Sequence, residues 1–235
     1  MCIRDRVNAP KIAKYCEELK SYIKANDKSA EFPTLECNDE IEHYSMPDFL
    51  NLVNEAFIVQ EQSPNDHRIL SYSNKVVQAH NRNLFTAKHG RTDFKVGDVV
   101  LVNQYVYGFK TDEQVTIVDS VDVKDGTFFE VIGDITSATL FSPNDFKKTQ
   151  ARLTKIIHGK SEPVTQEQKY RYERLADLRP LFACTVHKSQ GSTFDTVYID
   201  LNPFKYVKDP IAMARLLYVA ISRASRKVIL TGDIC

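Results

Sequence analysis

Residues 180–201 constrain this chain more than any other stretch. Leu181 to Val186 and Thr196 to Ile199 are short apolar runs without alternation. Strands of that kind need cover on both faces, which is the situation of parallel strands in α/β domains. The polar loop between them holds Thr185, His187, Lys188, Ser189, Gln190, Gly191, Ser192 and Thr193, a dense set of phosphate-binding groups. Gly191 frees the backbone to take a positive φ or to approach a ligand closely. Polar loops join buried strands in every α/β domain, so the loop's information lies in the order of its residues.

The 235 residues suffice for one sizeable domain or two small ones, and 43% of them are hydrophobic, enough for a buried core. No apolar run approaches the ~20 residues of a membrane-spanning helix, and no secretory signal is visible. Five cysteines (Cys2, Cys16, Cys37, Cys184, Cys235) are scattered, odd in number and without CxxC spacing. That pattern predicts reduced thiols in a cytoplasmic compartment and excludes a disulfide scaffold or zinc module. Basic and acidic residues balance at 31 each, but their distribution is uneven. Asp27 to Asp66 holds ten acidic residues and one lysine. Arg68 to Lys95 holds six basic and one acidic, and Lys147 to Arg179 nine basic and four acidic. The asymmetry suits one phosphate-facing side; ordinary solvated helix faces account for it equally well.

Taken in order, the first six residues fit no structural pattern and read as a non-native scar, so that the start of the chain is a break. Apolar residues at Ile12, Tyr15/Cys16, Leu19 and Tyr22/Ile23 predict a helix with Pro10 in its first turn. Ser45 predicts an N-cap, with Asp48 three residues on, for a helix through Phe57. His67 to Tyr72 reads as a strand, followed by a helix from Ser73-Asn74 to the stop at Gly90. From Thr92 the pattern turns to short β-rich runs: Phe94–Tyr107, Gln114–Val123, Thr127–Ile132 and Ala138–Phe141. Glycines at 97, 126 and 133 supply turns, and the whole predicts a small β-barrel. Helices are expected again over Pro143–His158, Thr165–Leu178 and from Asp209-Pro210 to about Arg223, before a closing strand at Lys227–Leu230. Gly159-Lys160-Ser161 resembles part of a phosphate-binding loop but lacks its first glycine and follows a helix rather than a strand, so it is read as a decoy.

The order Thr-Val-His-Lys-Ser-Gln-Gly-Ser-Thr-Phe-Asp over Thr185–Asp195 resembles motif V of superfamily-one DNA helicases, closest to the RecD and Dda branch. Leu216–Ala224, Leu-Leu-Tyr-Val-Ala-Ile-Ser-Arg-Ala, resembles motif VI at the right distance downstream. The resemblance implies an α/β fold, a RecA-like parallel-sheet domain (the second motor domain, with a UvrD-like helicase C-terminal domain) carrying an inserted small β-barrel. It divides the chain into a scar (1–6), the first part of the RecA-like domain (7–91), the barrel insert with its adjoining helix (92–162), and the rest of the RecA-like domain with both motifs (163–235).

By resemblance, Arg223 is an arginine finger and the catalytic residue, reaching the γ-phosphate of ATP. Gln190, Gly191 and Thr193 lie with it on the nucleotide side, while Ser73, Asn74, Thr185, His187, Lys188 and Ser192 contact DNA. The implied function is the C-terminal half of an ATP-dependent DNA helicase or translocase, moving 5′ to 3′. Its partners would be single-stranded DNA, ATP, and replication or recombination proteins, with no membrane. The chain contains no G-x-x-x-x-G-K-[ST] and no apolar strand ending in Asp-Glu. ATP and Mg²⁺ would therefore be bound mainly by a P-loop domain that this sequence lacks, and the chain alone is expected not to hydrolyse ATP. A different class of function stays open at this point: a non-catalytic module binding nucleic acid or a protein partner on a degenerate RecA-like fold.

Overall fold

The computed structural model describes residues 9–159 and 163–233. The proposed scar, Cys2, Cys235 and the Lys160-Ser161 part of the decoy lie outside them. Two compact units emerge, Met1–Arg91 with Phe182–Cys235, and Thr92–Leu181.

In chain order the first unit contains α1 (Pro10–Ala25), β1 (Ile41–Tyr44), α2 (Met46–Asn54) continuing into a π turn at Glu55–Val59, β2 (His67–Ser71) and α3 (Asn74–His89). After the second unit come β8 (Ala183–Thr185), β9 (Phe194–Asp200), a 3-10 turn at Asn202–Tyr206, α6 (Pro210–Ile221) and β10 (Ala224–Thr231). The strands form a sheet in the order β1-β10-β9-β2-β8, every pair parallel. The missing alternation of the apolar runs is thereby explained: successive residues enter different cores. Val197 and Ile199 of β9 pack with Ile12, Cys16 and Leu19 of α1 and Ile211, Ala214 and Leu217 of α6. Between them in sequence, Tyr198 packs edge-on against Phe49 and lies beside Phe57 on the opposite face.

Local chemistry fixes the helix ends. Ser45 caps α2 by accepting from the Asp48 amide, and Asp209 caps α6 by accepting from the Ala212 amide, with a proline in the first turn of each. Gly90 ends α3 in the left-handed region at φ 65°. The edge strand β1 has no counterpart among the sequence expectations, because Ile-Glu-His-Tyr buries only Ile41 and shows no period to detect.

The second unit holds β3 (Val99–Val102), β4 (Glu113–Val123), β5 (Gly126–Ile132), β6 (Ser137–Pro143), α4 (Phe146–His158), α5 (Gln166–Glu173) and β7 (Leu178–Arg179). Its sheet runs β6-β5-β4-β3-β7, all antiparallel. Just before β7, the Phe141 amide of β6 donates to the Arg174 carbonyl and the Ala176 amide donates back to Phe141. The stretch 174–179 is thus bonded to β6 at one end and to β3 at the other; among the described residues the expected barrel is seen as a five-stranded antiparallel sheet without closure. The helix expected to run to Leu178 therefore stops at Glu173, since Leu175, Ala176 and Leu178 are buried in this unit. The division between the two units falls between Leu181 and Phe182. The β-rich run Phe94–Tyr107 likewise contracts to β3.

Candidate functional site

Register places one polar row across the carboxyl end of the parallel sheet: Tyr44, Thr231, Asp200, Ser71 and Thr185 are successive partners. At the other end Phe194 of β9 pairs with Ala224 of β10. The seven residues of β9 separate these ends by ~20 Å at ~3.3 Å per residue. The motif V loop leaves the first end at Thr185 and enters β9 at Phe194, so it touches both.

At the carboxyl end stand Ser73, Asn74, Thr185, His187 and Lys188. Ser73 occupies the N-cap of α3 without forming a side-chain cap bond, and the first amides of a helix have no partner within it. Such amides, together with the exposed Asn74 side chain, suit an anionic oxygen. Thr185 is buried, its Oγ1 accepting from the Lys188 amide at 3.3 Å, and its hydroxyl proton remains available to donate. His187 is exposed and lies beside Tyr72, with ring centroids 6.1 Å apart.

Two neighbours on α3 hold this end together. His80 Nε2 lies 3.0 Å from Asp200 Oδ2 in a buried pair. Asp200 Oδ1 accepts from the backbone and side-chain nitrogens of Asn202. Burial alone pushes the Asp200 carboxyl upward, but the His80 and Asn202 bonds outweigh it and hold the group below its ordinary value. With both oxygens engaged, Asp200 ties the end of β9 to α3 and to Asn202. Asn81 pairs with β8 like another strand, donating to the Ala183 carbonyl at 2.9 Å and accepting from its amide at 2.8 Å.

At the amino end of β9 and β10 stand Gln190, Gly191, Ser192, Thr193 and Arg223. All but Arg223 are exposed, and Arg223 is half-buried. Its Nε donates to the Val219 carbonyl at 3.1 Å, Nη1 to the Ser192 carbonyl at 3.1 Å and Nη2 to Ser222 Oγ at 2.9 Å. Burial lowers its pKa, yet a guanidinium stays charged at neutral pH. Three of its five N–H donors are engaged, and one on each terminal nitrogen is left for an anion, a fit to phosphate oxygen. Gly191 adopts φ 90° with open space where a Cβ would sit, so the turn itself demands glycine. The carbonyl of Ser192, a residue expected among the DNA contacts, accepts from the Arg223 guanidinium, so the two lie side by side.

Sequence reasoning missed the structural role of Asp200 and the strand-pairing by Asn81. Their signal was faint: an acid ending a buried strand, and an asparagine on the apolar side of a helix. Tyr72, expected as the last residue of a strand, lies just beyond β2.

The first unit is thus an α/β domain built on an all-parallel sheet covered on both faces, with this loop joining its two ends. Residues 180–231, spanning both motifs, match the family model of the UvrD-like helicase C-terminal domain. No curated protein matches the chain in sequence. Among solved structures it is similar to a Pif1 helicase described for DNA unwinding at forked duplexes (16% identity, TM-score 0.43, 98% of this chain and 48% of that one). Pif1 helicases from Candida albicans (14%, 0.31, 98% and 52%) and from Bacteroides in complex with ADP-AlF3 and ssDNA (14%, 0.36, 98% and 50%) are also similar. The chain spans about half the length of these structures.

Proposed function

We propose that this chain is the C-terminal motor domain of an ATP-dependent DNA helicase or translocase, working 5′ to 3′ with a P-loop domain that binds ATP and Mg²⁺. Single-stranded DNA lies along the carboxyl end of the sheet, held at phosphates by Ser73, Asn74, Thr185, His187 and Lys188. Contacts to backbone and not to base edges are what a motor moving along any sequence requires. At the opposite end Gln190, Gly191 and Thr193 face the nucleotide. There Arg223 meets the charge that develops on the γ-phosphate during transfer, a contribution of roughly 10³ to 10⁵ in rate for such fingers.

The observation that carries this reading is the tie from Arg223 to the Ser192 carbonyl. It joins the residue proposed to sense ATP to the loop whose other end is proposed to hold DNA. A shift of Arg223 toward a phosphate pulls on the loop, and the loop moves Thr185 and His187. The test is fluorescence anisotropy of this chain with a labelled single-stranded oligonucleotide. His187→Ala weakens binding several-fold and flattens its salt dependence, while Arg223→Ala leaves affinity unchanged. Equal losses from both substitutions would contradict the division of the sheet into two working ends.

A further inference from the structure

Tyr72 stands directly between the end of β2 and the Ser73-Asn74 start of α3, so backbone connectivity sets it among the proposed phosphate donors. Arg68 to Ser71, the four residues before it, are buried, yet Tyr72 is 37% exposed. Its ring rests near Phe204, itself fully buried, at 6.3 Å between centroids, and on its other neighbour, His187, at 6.1 Å and 49°. A braced aromatic ring that stays open to solvent beside backbone-binding groups has the makings of a stacking platform. A grip through phosphates alone is blind to whether the strand carries bases, whereas an aromatic face is not, since every base presents a π surface.

We propose that Tyr72 stacks an unpaired base of single-stranded DNA while Ser73, Asn74, Thr185 and His187 hold the adjoining phosphates. The proposal rests on the carboxyl end of the sheet being the strand-binding end. Phe204 holds the ring from below, and His187 keeps its own ring beside it with an N–H for phosphate. The contact tolerates any sequence and favours purines, whose stacking area is larger.

The test compares binding of this chain to oligodeoxyadenylate and to an oligomer of the same length made wholly of abasic units, which keeps the phosphates and removes the bases. The unaltered chain binds the adenylate about 5- to 150-fold more tightly. Tyr72→Phe keeps that ratio, and Tyr72→Leu, which retains an apolar contact to Phe204, brings it toward one with the abasic affinity unchanged. A thermal midpoint for Tyr72→Leu equal to that of the unaltered chain ties the loss to stacking. A ratio that persists in Tyr72→Leu overturns the stacking role and leaves the phosphate contacts standing. If the unaltered chain binds neither oligomer, the strand-binding reading of this end falls with it.

Discussion

The Arg223 guanidinium donates to the carbonyl of Ser192 at 3.1 Å, joining the two segments that resemble motifs VI and V. Lysine could reach one of the three acceptors that Arg223 engages, but it has no planar fork with which to serve all three and still face an anion.

In the motor assembled with a P-loop domain, Arg223→Ala and Arg223→Lys are therefore both expected to lower ATP turnover by about 10³-fold or more. Phosphate release under single-stranded DNA stimulation measures it. The 235-residue chain by itself should release no phosphate above background, with or without Arg223, for want of a P-loop.

Asn81→Ala leaves the amide and carbonyl of Ala183 without their partners inside the protein. At ~1–3 kcal/mol for each of the two unsatisfied buried groups, the expected loss is about 2–6 kcal/mol in denaturant unfolding. Faster hydrogen exchange at the Ala183 amide would accompany it.

Asp200 links stability to pH. Its folded pKa is depressed, so its contribution is complete above the unfolded value of about 3.9 and is lost as pH falls through the lower folded value. Asp200→Asn should make unfolding less steeply pH-dependent below about pH 4. Near neutrality, Asp200→Ala leaves His80 Nε2 and the Asn202 nitrogens without their acceptor and should cost at least about 1–3 kcal/mol. Chemical unfolding over a pH series checks both.

Two glycines resist substitution for different reasons. A Cβ at Gly126 would meet the Ser142 carbonyl oxygen and come within 2.6 Å of the Pro143 Cα, so Gly126→Ala should destabilise the second unit by about 1–3 kcal/mol. At Gly191 nothing is within 4 Å, and alanine meets only the left-handed backbone cost of ~1–2 kcal/mol. Gly191→Ala should therefore shift the loop and ATP turnover more than it shifts thermal stability, which paired melting and activity measurements separate.

How much of this was legible in the sequence depended on whether the signal was local. The capped helices α2, α3 and α6 and the buried strands β2 and β9 announce themselves, because period, cap and turn chemistry act over a few residues. The edge strand β1 did not, having one buried side chain. The segment after Glu173 was misjudged for a related reason: Leu175, Ala176 and Leu178 continue an apolar pattern, but bonds to β6 and β3, distant in sequence, take them from the helix. At the candidate site the residue types were readable as a resemblance. That Ser192 sides with Arg223, and that Asn81 acts as a strand partner, are properties of register and distance that no local pattern encodes.

The central claim is that the two ends of the parallel sheet divide the work, strand at one and nucleotide at the other. Photo-crosslinking this chain to a single-stranded oligonucleotide carrying 5-iodo-uracil, with the modified peptides mapped by mass spectrometry, tests it most directly. The account predicts crosslinks within residues 72–75 and 185–188 and none at 190–193 or Arg223. Crosslinks concentrated at Gln190–Thr193 and Arg223 would contradict it.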